Sequence, residues 1–247
     1  MNQRTLIALG ASQLSEHIDK LVTQGEGIFQ PTATSSYLLR ASKQIARNQT
    51  QVLDLGCGWG FVGLELALEK NIKISFSDLS VNAVQAAESN ANNLNLSYVV
   101  KHGSLFGPWS DTKFDLIICD VSGISTEVPF AAKWFTGIPF AAGRDGTLLT
   151  RQVIEEAPLY LAADGKVLLP IISLSNRSRT LEKMLEVFRT VDLIETNNWS
   201  MKIEENHQRE VLATLALEGI ISFNRKGDIF EFSTEIYCLS NPKLELK

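Results

Sequence analysis

Three glycines stand at alternate positions in Leu53-Asp54-Leu55-Gly56-Cys57-Gly58-Trp59-Gly60, just after an apolar run and just before a helical pattern. Glycine there lets the backbone turn tightly and come within contact distance of a ligand. A helix starting at that point adds free N–H groups and a partial positive charge. On the glycines alone, a plain strand-to-helix turn explains the pattern equally well. The next apolar run ends in Ser77-Asp78, with Asp78 24 residues after Asp54. A carboxylate at the tip of a second strand, about twenty residues beyond a glycine loop, can accept hydrogen bonds from both ribose hydroxyls of a nucleoside. A Gly-x-Gly-x-x-Gly loop leaves room for a pyrophosphate, but here Asp54 precedes the first glycine. That carboxylate repels a pyrophosphate and suits a cationic ligand. Asp120 ends a further apolar run.

Other reactive side chains carry less. His102 directly follows an apolar run and reads as a loop residue. His207 lies in the polar run Glu204-Glu205-Asn206-His207-Gln208-Arg209, a solvated helix start, and becomes a base only if that helix covers a pocket. Ser122 has no paired histidine in view, which excludes a hydrolase triad. Cys57, Cys119 and Cys238 are odd in number and far apart, so they read as buried thiols, with no metal site among them.

Strands and helices must hold these residues in place. Apolar runs at 51–55, 72–77, 97–101, 114–119 and 166–172 predict strands, and helical patterns fill 61–70, 80–93, 147–163 and 178–189 between them. Such alternation calls for a parallel sheet covered by helices on both faces. Residues 204–219 read as a helix, and 220–224 with 228–239 as a hairpin around Arg225-Lys226-Gly227. Before the first strand, 1–25 and 35–47 read as amphipathic helices. The expected fold is α/β: Rossmann-like and doubly wound, with a mostly parallel seven-stranded sheet, a C-terminal antiparallel hairpin and a short N-terminal helical extension. The expected division is 1–48, helical extension and covering segment, and 49–247, the main domain.

The loop Asp54-x-Gly56-x-Gly58-x-Gly60 resembles the first motif of class I S-adenosylmethionine-dependent methyltransferases. Asp78-Leu79-Ser80-Val81-Asn82-Ala83-Val84-Gln85-Ala86-Ala87-Glu88-Ser89-Asn90-Ala91 resembles the matching stretch of the protein-glutamine N5-methyltransferases. Phe29-Gln30-Pro31-Thr32-Ala33-Thr34-Ser35 is similar to their cofactor-covering segment, and Ala141-Ala142-Gly143-Arg144-Asp145-Gly146 to their loop before strand five. The resemblance implies S-adenosylmethionine as cofactor, held by Phe29, Thr34, Asp54, Gly56, Gly58, Gly60, Asp78, Leu79, Ser104, Leu105 and Asp120. Asp78 would hold the ribose and Leu79 would pack on the adenine. Ser104 stands where the family has an aspartate facing the adenine amino group. The chain departs from the family where Asn-Pro-Pro-Tyr gives way to Asp120-Val121-Ser122-Gly123, removing a rigid slot for a planar amide. Asp120 remains as the catalytic orienter. Ser122 and Trp134, the latter in an aromatic stretch with Phe130, Phe135 and Phe140, are candidate walls for the acceptor.

The chain has 247 residues, 23 Lys and Arg, and 28 Asp and Glu, for a net charge of −5. That balance argues against a protein whose main task is holding nucleic acid. No apolar run approaches the ~20 residues of a membrane span, so a cytoplasmic protein is expected. The expected activity is N-methylation of a peptide side chain or small metabolite. An O-methyltransferase, or a catalytically idle cofactor-binding subunit or sensor, are the alternatives.

Overall fold

The computed structural model describes residues 21, 25–132 and 141–243. Apart from residues 21 and 25, the helix expected over 1–25 lies outside the described residues, as do residues 133–140 with Trp134.

Helix α1 (Ala33–Ile45) leads into β1 (Gln51–Leu55), α2 (Phe61–Glu69), β2 (Lys73–Asp78), α3 (Val81–Asn93), β3 (Tyr98–His102) and β4 (Phe114–Cys119). Then come α4 (Glu127–Ala132), α5 (Leu148–Glu156), β5 (Leu161–Ile172), α6 (Arg177–Val187), β6 (Phe188–Lys202), α7 (Asn206–Leu217), β7 (Asn224–Lys226) and β8 (Ile229–Pro242). The strands form a single sheet in the order β3-β2-β1-β4-β5-β8-β6, with β7 paired to β8. The first five strands run parallel, and β8 inserts antiparallel between β5 and β6. This is the expected doubly wound α/β arrangement, with eight strands rather than seven.

Alternation along each strand sorts side chains to two faces. Val52, Leu116, Ile118 and Leu168 pack in one core with α1, α2 and α3 residues such as Leu38, Leu64 and Ala87. Leu53, Leu55, Ile117, Val167 and Leu169 pack in the other with Val153, Ile154 and Met184 of α5 and α6. Asp54 and Asp120 therefore fall on the first face, beside α1 and α2.

Three boundaries differ from the sequence expectations. The helix expected over 147–163 stops at Glu156 and passes through one 3-10 turn, Ala157–Leu159. Pro158 has no N–H to continue the α-helical ladder, so β5 begins at Leu161. Residues 220–223 are not a strand, because Ile220 and Ile221 give their N–H groups to Leu215 O and close α7. Residues 190–202, to which no element was assigned above, belong to the fifteen-residue strand β6.

Candidate functional site

A cavity of about 260 Å³ opens at the carboxyl ends of β1, β2 and β4, where ligands bind in open parallel sheets. Its position follows from strand order, since β2 and β3 lie to one side of β1 and β4, and β5 to the other.

The glycine loop begins at its floor, where Gly56 lines it. Gly56, Gly58 and Gly60 have φ values of 77°, 55° and 93°. At Gly58 an added Cβ would stand 3.3 Å from Phe29 O, so the segment carrying Phe29 passes directly over the loop. At Gly56 a Cβ would stand 3.0 Å from Val121 Cγ1 and 3.3 Å from Asp120 O, so a bare backbone lets the β1 and β4 ends lie side by side.

Asp78 ends β2 and joins the loop to α3. Its Oδ2 accepts from Gly58 N at 3.0 Å and its Oδ1 from Ser80 N at 2.8 Å. Each oxygen keeps a lone pair, and Asp78 lines the cavity. Burial raises its pKa, while the bonds from the Ser80 and Gly58 N–H groups lower it. Leu79 lines the same end and is 55% exposed, a bare apolar surface at the mouth. Ser104 and Leu105 complete that end. Leu105 holds φ at 44°, uncommon for a leucine and fixed by the turn after β3.

Asp120 follows β4, its backbone N–H donating to Leu55 O at 3.1 Å. Its carboxylate lines the cavity and accepts from the buried Ser35 Oγ at 2.7 Å. Burial pushes its pKa up to about 6, against the pull of the Ser35 bond. Thr32 N–H donates in turn to Ser35 Oγ at 3.3 Å, so the segment ahead of α1 fixes the Asp120 rotamer. Nothing local in the sequence pairs residues 35 and 120.

Asp54 lies elsewhere. It is 1% exposed, does not line the cavity, and accepts from Gly63 N in the first turn of α2 at 2.8 Å. Burial first, then the nearby Asp120 and Asp78 charges, raise its pKa to about 7. It holds the loop from behind. Gly58 and Gly60 also shape the loop without facing the cavity, whereas Phe29, Thr34, Gly56 and Ser122 do line it. Trp134 lies outside the described residues. Trp59 is buried and packs edge-on against Phe61 at 5.5 Å, so it belongs to the core. His102 bonds to Leu79 O at 2.9 Å on the exposed side, and the exposed His207 lies off the cavity. Burial pushes the Cys119 thiol up to about 12, too high for a thiolate.

Trp199, missed in the sequence reading, also lines the cavity. It reaches the site because β8 pairs with both β5 and β6, a long-range contact that no local pattern announces. Its Nε1 donates to Thr234 Oγ1 at 3.1 Å, and Thr234 in turn meets Thr34 Oγ1 at 3.3 Å. Among the described residues lining the cavity, Asp78 and Asp120 are the ionisable ones.

Residues 27–121 match the family model described as the methyltransferase small domain. A putative protein glutamine methyltransferase of Methanocaldococcus jannaschii is 28% identical over 159 residues, 64% of this chain and 78% of that protein. A release factor glutamine methyltransferase of Streptococcus pneumoniae is 32% identical over 126 residues, 49% of this chain and 45% of that protein. A bifunctional methyltransferase of Rickettsia bellii is 32% identical over 130 residues, 49% of this chain and 23% of that protein. The chain thus matches less than half the length of the last two relatives. Among solved structures, the Bacillus subtilis YcgJ protein superposes with a TM-score of 0.56 at 14% identity, covering 84% of this chain and 98% of that one. A T. thermophilus 16S rRNA methyltransferase, solved with AdoMet and guanosine, superposes with a TM-score of 0.55 at 14% identity, covering 86% of this chain and 44% of that one. At such identities the superpositions speak for the fold.

Proposed function

We propose that this chain is a class I S-adenosylmethionine-dependent methyltransferase that transfers a methyl group to nitrogen on a peptide side chain or a small metabolite. One observation carries the reading most: Asp78 and Asp120 face a single cavity from the ends of β2 and β4, with the glycine loop between them. The residues fit S-adenosylmethionine. Asp78 offers carboxylate lone pairs for ribose hydroxyls, and Leu79 an apolar face for a base. When bound, that cofactor supplies an electrophilic methyl group on a cationic sulfur, so the protein's own task is positioning and proton removal.

Asp120 does that task at the acceptor. Its ordinary protonation range, lifted to about 6, leaves it a carboxylate at neutral pH. It accepts the acceptor N–H, aims the nitrogen lone pair, and takes the proton as the new N–C bond forms and the S–C bond breaks. Ser35 holds one carboxylate oxygen, leaving the other for the acceptor. Thr32, Thr34 and Phe29 close the cavity from the N-terminal side. The relatives that act on glutamine support nitrogen as the acceptor atom.

Asp120→Ala tests this reading. Turnover, followed by mass spectrometry of methylated products from peptide and metabolite pools, should fall about 10²–10⁴-fold. Cofactor affinity should stay near wild type, because the lost contact tightens only as the nucleophile forms. Asp120→Asn should keep part of the rate if orientation dominates and fall as far as alanine if proton removal does. Normal turnover without Asp120 would overturn both roles.

A further inference from the structure

We infer that the acceptor is a small planar molecule with an apolar body and a single amino group, laid against Trp199 with an N–H of that group on Asp120. This rests on the methyltransferase reading above and names the acceptor class for the same site. Sheet order gives the cavity two unlike ends. Asp78, Leu79 and Ser104 stand at the tips of β2 and β3, on one side of β1. Asp120 ends β4, on the other side. Beyond it the cavity is walled mostly by apolar side chains, Val121, Ile124, Leu149, Ile172, Leu174 and Trp199, with Ser122 beside Val121.

Those walls select by exclusion and by fit. Five of the six apolar side chains are hydrocarbon, and the indole N–H of Trp199 is already given to Thr234 Oγ1. The Phe232 ring backs Trp199, with centroids 4.9 Å apart, and holds it in place. Trp199 therefore meets the cavity as an apolar ring with its polar edge turned away, a surface that favours another ring. A side-chain amide would bring a carbonyl that loses water on entry against walls of which five are hydrocarbon. An acceptor with a carboxylate or phosphate would need a cation, and no Lys, Arg or His lies among the described lining residues. The wall is also firmly built. Ile124 and Leu174 belong to a core cluster with Ile203, Leu212 and Leu215, so the segment after β6 braces the apolar end from behind.

The test uses the full chain saturated with S-adenosylhomocysteine and titrated by calorimetry with 2-aminoquinoline, quinoline and N-acetylglutamine methylamide. The inference expects 2-aminoquinoline to bind about tenfold or more tightly than quinoline, which lacks the N–H. Trp199→Ala should weaken both rings about tenfold or more, and Trp199→Phe should restore most of that loss. S-adenosylhomocysteine affinity should not move in either variant. Should Trp199→Ala lose the circular dichroism of the fold, Leu149→Asn carries the test, with ring binding expected to drop by a similar factor. Ring binding that is indifferent to the variant tested would overturn the inference. So would an amide probe that binds as tightly as 2-aminoquinoline. Failure of S-adenosylhomocysteine to bind the wild-type chain would overturn the methyltransferase reading and the inference with it. Normal cofactor binding with amide preference would overturn the inference alone.

Discussion

Asp120 must be ionised to accept an N–H, yet it sits where burial favours its neutral form. Ser35 works against that penalty by donating to the charged form at 2.7 Å. Removing the hydroxyl should therefore raise the Asp120 pKa above its present value of about 6. In Ser35→Ala, the acidic limb of the kcat profile should move to higher pH, and Ser35→Thr should return it toward wild type. An unmoved limb with intact cofactor binding would remove Ser35 as the positioning residue. The two carboxylates of the cavity were legible in the sequence for a local reason, since each ends an apolar run that can only be a buried strand. Their supports were not legible. Ser35 lies 85 residues from Asp120, and only the packing of α1 on the sheet brings them together. Asp54 was misread because all four residues 52–55 are buried, so no polar alternation shows which face it takes.

At the scale of elements, the glycine loop works because α2 starts where it does. Gly63 N–H reaches Asp54, and no side chain fits at Gly63. A Cβ there would stand 2.5 Å from Phe76 Cε1 and 2.9 Å from Asp54 Oδ2. Gly63→Ala should destabilise the protein by about 1–3 kcal/mol through overpacking, despite alanine's better helix propensity. Urea denaturation checks this, and an equal or higher midpoint would contradict the packing account. The parallel half of the sheet was readable because each βα unit is a local pattern of fewer than about thirty residues. The antiparallel end was not. Along β6 only Phe188 is buried, and polar stretches such as Thr196-Asn197-Asn198 take their place only through pairing with Glu235, Thr234 and Ser233 of β8. Trp199 was lost with that strand, and with it the wall of the acceptor end.

Across the whole molecule, two buried carboxylates on one face of the sheet couple stability to pH. Asp54 titrates near 7 when folded and near its ordinary value of 3.8 when unfolded. The folded state then binds the proton more tightly, so stability falls as pH rises from about 4 to about 7, and levels off above. Asp54→Asn keeps an acceptor for Gly63 N–H and removes the charge, so its denaturation midpoint should depend less on pH across that window. An unchanged slope would show that Asp54 is not ionised at such cost. The account as a whole stands on a nucleoside-bearing cationic cofactor held between the glycine loop and the tip of β2. Calorimetric titration of the wild-type chain and of Asp78→Ala with S-adenosylmethionine tests that most directly. The account predicts one site per chain in the wild type. In the variant it predicts a loss of about 1.5–3 kcal/mol, the size of hydrogen bonds to a charged group, with circular dichroism unchanged. Equal affinity in the two folded proteins, or no binding to the wild type, would contradict it.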